Sequence, residues 1–456
     1  MRSVFLYCFR RATILLLLVG LSILAGSATG AAQDNVPALS GKRLLNDLQV
    51  TVAQTRNFGD AMTMGLVLRY GSAFDPEGKG GLAHLVSRML LKATTDRTAK
   101  DIQAELEYLG ASVEVGCDWD GIRLVLHAPA ASFERALLLF YQIVGDARFE
   151  DADFEAVRQS ILDELQKPPD PRQRIHDQME AVLFQGTTYA RPLMGTVESV
   201  SDLTMGDVRY FYRRFFSPNQ AALEIVGDID PVAAHQRIAR IWGVWVRSDE
   251  IPFTFTRPKS PAGREVYAEN DQGSPAAQFI IGGMFPRHED PEYVNALLAI
   301  RVLQERLNKL LPTSLLTVRA EGRRLASPFY IQGQAAAEQA LEQVRGIHSV
   351  IDDMKQSPVT DDELAAAQRQ LTQEFNERLG TADGLCGVLL DAELYRLGSN
   401  YASFFLDRVK RSDAAVVQRA VSSWVLSGGE VFLIRGPIPV LKTGLESLGT
   451  VRPLAP

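Results

Sequence analysis

Histidine and cysteine are both scarce in this chain, with six and three residues among 456, and none stands two to five positions from another. That excludes zinc-finger spacings, Cys-x-x-Cys redox motifs and helical His-x-x-x-His pairs. Cys8 lies near the N-terminus, while Cys117 and Cys386 are far apart. They read as separate buried thiols, with a long-range disulfide as the alternative in an oxidising compartment. A surplus of positive charge is also missing: 48 Lys and Arg against 55 Asp and Glu give a formal net charge of −7. No nucleic-acid partner is expected. Neither a P-loop nor a G-x-S-x-G motif occurs.

Long apolar runs are absent beyond residues 12–25. Arg2, Arg10 and Arg11 precede that run and small residues follow it at 26–32, the pattern of a secretory signal peptide over residues 1–31. The alternative is an uncleaved anchor, although the run is shorter than the roughly 20 residues a spanning helix needs. The mature protein is expected to be exported, periplasmic or secreted, with no membrane span after signal cleavage. Removing the three arginines takes the formal charge from −7 to −10.

With 46% hydrophobic and 23% charged residues, the remainder is ordinary globular protein and too long for one small core. It reads as two halves on one plan. In the first, residues 62–69 alternate as a strand, 71–77 form a turn and Gly80-Gly81 opens an apolar-rich helix. In the second, 277–283 is the strand, 290–292 the turn and 293–310 the helix. Asp75 and Asp290 lie 215 positions apart, and the strand-like segments 222–228 and 431–436, which close the two halves, keep nearly that offset. Helices are expected at 99–109, 131–144, 151–167 and 359–377. Strands grouped with helices indicate an α+β fold, with two homologous sandwich halves, each a mainly antiparallel sheet with helices packed on it. The expected boundaries are 38–250 for the N-terminal domain, 251–271 for a linker and 272–450 for the C-terminal domain.

The most specific pattern is His84-Leu-Val-Ser-Arg88. It resembles the helix that reads H-x-x-E-H in the insulinase/pitrilysin (inverzincin) family of zinc metallopeptidases. There, two histidines at i and i+4 hold one zinc ion and the glutamate polarises the attacking water. Here His84 keeps the first ligand position, but Ser87 stands at the general-base position and Arg88 at the second ligand position. Serine is no general base in that geometry, and a guanidinium has no lone pair for a metal. The family's later glutamate is matched by Glu164, 76 residues after Arg88. It flanks the apolar stripe of Phe154, Val157, Ile161 and Leu165, with Asp163 turned away. A carboxylate at the edge of a buried face needs a positive partner, so an Arg88–Glu164 ion pair is expected where zinc would sit. The alternative is that both side chains extend into solvent.

The resemblance runs from about residue 45 to about 435, through Leu106-Glu-Tyr-Leu-Gly-Ala-Ser112, Tyr189-Ala-Arg-Pro-Leu-Met-Gly195 and Phe216-Ser-Pro-Asn-Gln220. Active relatives also carry an arginine and a tyrosine seven residues apart in the second half, which grip substrate. The matching region, 306–320, has no such pair, and no tyrosine lies between Tyr293 and Tyr330. His127, His176, His235, His288 and His348 lack ligand spacing and read as surface or capping residues.

The resemblance therefore implies a bacterial processing-peptidase-like member with a degenerate metal motif. No catalytic residue, metal ligand or cofactor is expected. The expected function is that of a non-catalytic partner for an active zinc peptidase of the family, or a homodimer, forming a clamshell that holds peptide. Two alternatives stay open. One is a stand-alone peptide-binding or assembly protein; the other is a zinc metalloendopeptidase with an unorthodox site using His84, Glu164 and a further acid.

Overall fold

A computed structural model describes residues 36–454 except 250, 252–253, 272, 313 and 428. The signal-peptide expectation for 1–31, and Cys8 with it, lies outside the described residues. No helix among the described residues is long and apolar enough to cross a membrane.

The first half builds a six-stranded sheet from β1 (Leu39–Arg43), β2 (Gln49–Gln54), β3 (Ala61–Leu68), β4 (Ser112–Cys117), β5 (Ile122–Pro129) and β6 (Ala221–Gly227), in the order β1-β2-β6-β3-β5-β4. Alternation sets the faces of β5: Ile122, Leu124, Leu126 and Ala128 are buried and the residues between them are half-buried. The second half builds another from β7 (Arg264–Asn270), β8 (Ala276–Phe285), β9 (Thr317–Ala320), β10 (Ser327–Ala336), β11 (Glu430–Gly436) and β12 (Val451–Pro453), in the order β12-β7-β11-β8-β10-β9. The fold is α+β, and five strands of each sheet correspond in order. In both sheets the first of these pairs in parallel with the last, β2 with β6 and β7 with β11, and the rest are antiparallel. They differ at one edge, where β1 runs antiparallel to β2 but β12 runs parallel to β7.

The expected helices are present as Ala99–Leu109, Phe133–Gly145, Asp151–Leu165, Tyr293–Leu310 and Asp361–Leu379. Two more helices join the halves. Helix Pro171–Leu183, from the first half, packs on β8 and β11 of the second sheet, and helix Ala382–Leu394, from the second half, packs on β3 and β6 of the first. Helix Ala382–Leu394 buries Leu385, Cys386, Val388, Leu389, Leu390 and Ala392, so it is apolar nearly all round, as a helix between two layers must be. It is also held by polar contacts: Asp383 accepts a hydrogen bond from Thr63 Oγ1 at 2.7 Å and lies 2.9 Å from His127 Nδ1. Met179 and Leu183 of the other exchanged helix form a core with Ile280, Tyr330, Val431 and Leu433 of the second sheet.

Each exchanged helix docks over a glycine. A Cβ on Gly65 of β3 would lie 2.5 Å from Cys386 Sγ, and one on Gly282 of β8 would lie 2.6 Å from Met179 Sδ. The two glycines are 217 positions apart, close to the offset of the internal repeat. Cys117 and Cys386 are both free thiols. Gly65→Ala should destabilise the protein by about 1–3 kcal/mol through overpacking against the short Cys386 side chain. Gly282→Ala should cost less, because the unbranched Met179 can re-aim. Urea denaturation of the two variants checks that ranking.

Candidate functional site

The helix Leu82–Met89 is placed by its N-terminus. Gly81 has φ +90°, and a Cβ there would lie 2.4 Å from the carbonyl oxygen of Met194, so only glycine fits. Asp75 caps the first turn: its carboxylate accepts the Gly81 N–H at 2.9 Å and the Ala83 N–H at 2.8 Å. Burial pushes the Asp75 carboxyl up to about 7, against the pull of those N–H groups and of Arg191. Leu82, Ala83, Leu85, Val86 and Met89 are buried, which leaves His84 and Arg88, one turn apart, on a common face beside helix Asp151–Leu165.

On that face Arg88 Nη1 donates to Glu164 Oε1 at 2.9 Å and Nη2 to Ser160 Oγ at 3.0 Å. The two ionic side chains are 31% and 39% exposed, so the pair contributes under about 1 kcal/mol and acts mainly by occupying the position. Ser87 is buried and its Oγ donates to the His84 carbonyl at 2.7 Å, back along its own helix. His84 is half-buried, and its Nε2 is buried with no hydrogen-bond partner. Burial first, and then the neighbouring Arg88 charge, lower its pKa, while Glu164 pulls the other way. The imidazole is therefore neutral near pH 7.

A zinc ion does not fit this donor set. One neutral imidazole is present, the carboxylate is engaged by a guanidinium, and that guanidinium repels a dication from the position of the second ligand. Arg306, which opens the segment where an Arg/Tyr pair would be sought, forks onto Glu363 at 2.8 and 2.9 Å.

A second cluster lies where the halves meet. Arg323, in the β9–β10 connection, donates to both oxygens of Glu180 on helix Pro171–Leu183 at 2.7 and 2.8 Å, and to Glu321 at 2.7 Å. The Tyr330 hydroxyl also donates to Glu180. The Arg323 guanidinium lies 4.2 Å from the centre of the Trp119 ring. His176, one turn before Glu180, stands 3.6 Å from Glu321. Among the described residues, His176, Glu180 and Glu321 are the group of ligand-type side chains close enough to share a metal. Arg323 already supplies the positive charge there and holds both carboxylates. Against burial, the neighbouring His176 and the hydrogen bond from Arg323 bring Glu321 down to about 2. Arg323 and Tyr330 are seven residues apart, but both are buried and engaged with Glu180.

The histidines correct an expectation. His235 is buried and bonded to Ser40, His348 meets Glu430 at 2.8 Å, His288 meets the Tyr401 hydroxyl at 3.0 Å and His127 meets Asp383. They are neither plain surface residues nor caps. Their partners lie 195, 82, 113 and 256 positions away in that order, so no local spacing reveals them. The one local signal was His176 and Glu180 at i and i+4 on a helix.

Profiles of two domains match the chain: insulinase (peptidase family M16) over residues 50–197, and the domain described as "Peptidase M16 inactive domain" over 202–371. The chain belongs to the M16 peptidase family. The zinc protease PqqE of Helicobacter pylori is 21% identical to this M16 chain over 398 residues, covering 82% of it and 88% of the relative. Subunit 1 of the mitochondrial cytochrome b-c1 complex of Caenorhabditis elegans is 26% identical over 166 residues, 36% of this chain and 35% of that one. The match thus spans about a third of the length of that relative. The first half of the periplasmic protease PqqL from Escherichia coli superposes with a TM-score of 0.76 at 16% identity, covering 89% of this chain and 93% of that one. Against the whole of PqqL the TM-score is 0.75 at 14% identity, and the match covers 88% of this chain but only 45% of the longer one.

Two outcomes are expected. Changing Ser87→Glu and Arg88→His together should restore stoichiometric zinc binding, measured by metal analysis of the folded variant, whereas the unaltered chain should hold none at this helix. Arg323→Ala should destabilise the protein by about 3–5 kcal/mol, because it leaves Glu180 buried without a counter-charge; chemical denaturation of the variant measures this.

Proposed function

We propose that this chain is a non-catalytic M16 subunit, exported from the cytoplasm, that pairs with a second M16 chain and helps to hold extended peptide. The observation that carries the reading is the Arg88–Glu164 ion pair standing where the family's metal ligands would meet. With Ser87 at the general-base position, that helix offers no carboxylate base to a water molecule, and the Nε2 of its one imidazole, His84, is buried.

Peptide holding is supported by the sheet. β4 is the terminal strand of its sheet and runs beside helix Leu82–Met89. Its outer edge suits an added strand, with backbone hydrogen bonds giving affinity and alternate side chains giving selectivity. Pairing is supported by PqqL, in which the half that this chain resembles is joined to a further half. Export is supported by the N-terminal pattern and by the periplasmic description of PqqL.

The test is co-expression with an M16 chain that has an intact H-x-x-E-H helix. A one-to-one complex by analytical ultracentrifugation is expected, with all peptidase activity removed by mutating the partner chain's motif. Peptide hydrolysis by the pure chain, abolished by a chelator and by His84→Ala, would overturn the non-catalytic reading. Monomeric behaviour alone and beside every such chain would overturn the pairing.

A further inference from the structure

The first sheet buries an acid beneath the helix it receives from the second half. Glu224, in the middle of β6, is fully buried, and neither of its carboxylate oxygens makes a well-formed hydrogen bond among the described residues. Ala222 and Val226, which share its face of the strand, belong to one core with Cys386, Leu389 and Leu390 of helix Ala382–Leu394. The carboxyl therefore lies on the side of the sheet that the exchanged helix covers.

The internal repeat shows that packing does not require an acid there. Glu224 is the register partner of Gly65, the glycine over which helix Ala382–Leu394 docks. In the second sheet the register partner of the matching Gly282 is Val431, which is buried in one core with Met179 of the other exchanged helix. One half closes its docking site with a valine and the other with an ionisable group.

The groups around Glu224 do not offset its charge. Thr51, its register partner on β2, supplies a hydroxyl, and the helix presents the Cys386 thiol and the Glu393 carboxylate. Three basic side chains on this side of the sheet are each met by an acid of the same helix: Arg69 by Glu393 at 3.0 Å, Arg123 by Asp391 at 3.0 Å and His127 by Asp383 at 2.9 Å. Arg324 and Arg396 act on Arg69. Burial first, and then Glu393, raise the Glu224 carboxyl well above its ordinary range, against the pull of the Thr51 hydroxyl. Glu224 and Asp383 in turn add to the burial that pushes the Cys386 thiol up.

We propose that Glu224 is a pH-sensitive latch on the exchanged helix: its carboxyl is protonated and neutral while Ala382–Leu394 is docked, and its ionisation releases the helix from the first sheet. An unpaired carboxylate in that core is costly, so the group keeps its proton as long as the core is closed. Release passes one proton from the carboxyl to water and loosens one of the two joints between the halves. The latch rests on neither the altered metal motif nor the β4 edge. A carboxyl that binds its proton more tightly in the folded chain than in the unfolded one costs stability as pH rises. That loss begins in the ordinary carboxyl range, at about pH 4, and ends once the pH passes the raised folded value.

Urea unfolding of the full chain, of Glu224→Val and of Glu224→Gln, from about pH 5 to about pH 9, tests it. Relative to Glu224→Val, the unaltered chain should lose up to about tenfold in its folding equilibrium constant per pH unit. Asp75 and the other shared groups titrate in both chains and cancel in that ratio. Glu224→Gln, which cannot ionise, should follow the valine variant's pH profile even where it is less stable. Infrared spectra at neutral pH should show a protonated-carboxyl band in the unaltered chain that Glu224→Gln lacks. Amide hydrogen exchange on the unaltered chain, corrected for the intrinsic rate, should show helix Ala382–Leu394 losing protection with rising pH before helix Pro171–Leu183. A pH profile parallel to that of Glu224→Val, or a carboxyl band unchanged in Glu224→Gln, would overturn the protonated acid. Equal loss of protection in the two helices would overturn the latch.

Discussion

The buried pair of Glu180 and Arg323 is the contact on which the relation of the two halves depends. Apolar packing between exchanged helices and sheets supplies most of the driving force, but it is non-directional and tolerates sliding. A forked ion pair does not. Two parallel N–H to oxygen bonds, a third to Glu321, the Tyr330 hydroxyl and the Trp119 ring face fix one geometry. Such a pair adds little net stability over a well-packed apolar substitute, yet breaking it from one side is severe. Its role here is to specify register between halves whose sheets would otherwise present similar surfaces.

The exchange of helices follows from the same need. Each sheet has a face that its own half does not cover, and each is closed by a helix from the other half. Gly65 and Gly282 mark the two docking points, where a missing Cβ lets a helix approach a strand. The internal repeat is thus visible twice, in the order of the strands and in the reciprocal way the halves complete each other's core. This mutual burial makes the described residues a single compact unit.

On the proposed reading, the Leu82–Met89 helix keeps the family's scaffold and changes its chemistry. Asp75 and Gly81 still set the helix start, and His84 and Glu164 still stand by the same groove. The Arg88 guanidinium bridges Ser160 and Glu164. The charge that a metal would bring is supplied by a side chain that can neither activate water nor accept a ligand.

The sequence alone determined the local elements and the altered motif. The apolar periodicity of 99–109 and 293–310, the Gly80-Gly81 helix start and the 215-residue offset are properties of neighbouring residues or of the repeat, and they are legible without a fold. The reading of Ser87 at a general-base position and of Arg88 at a ligand position likewise rests on residue chemistry and on the resemblance of His84-Leu-Val-Ser-Arg88 to H-x-x-E-H. Only the tertiary structure decided which half's helix covers which sheet. It also set the partners of the scattered histidines and the meeting of Glu180 with Arg323 across 143 residues. Those contacts join segments whose proximity is fixed by the packing of whole sheets and helices, and no spacing rule along a chain encodes a distance of that kind.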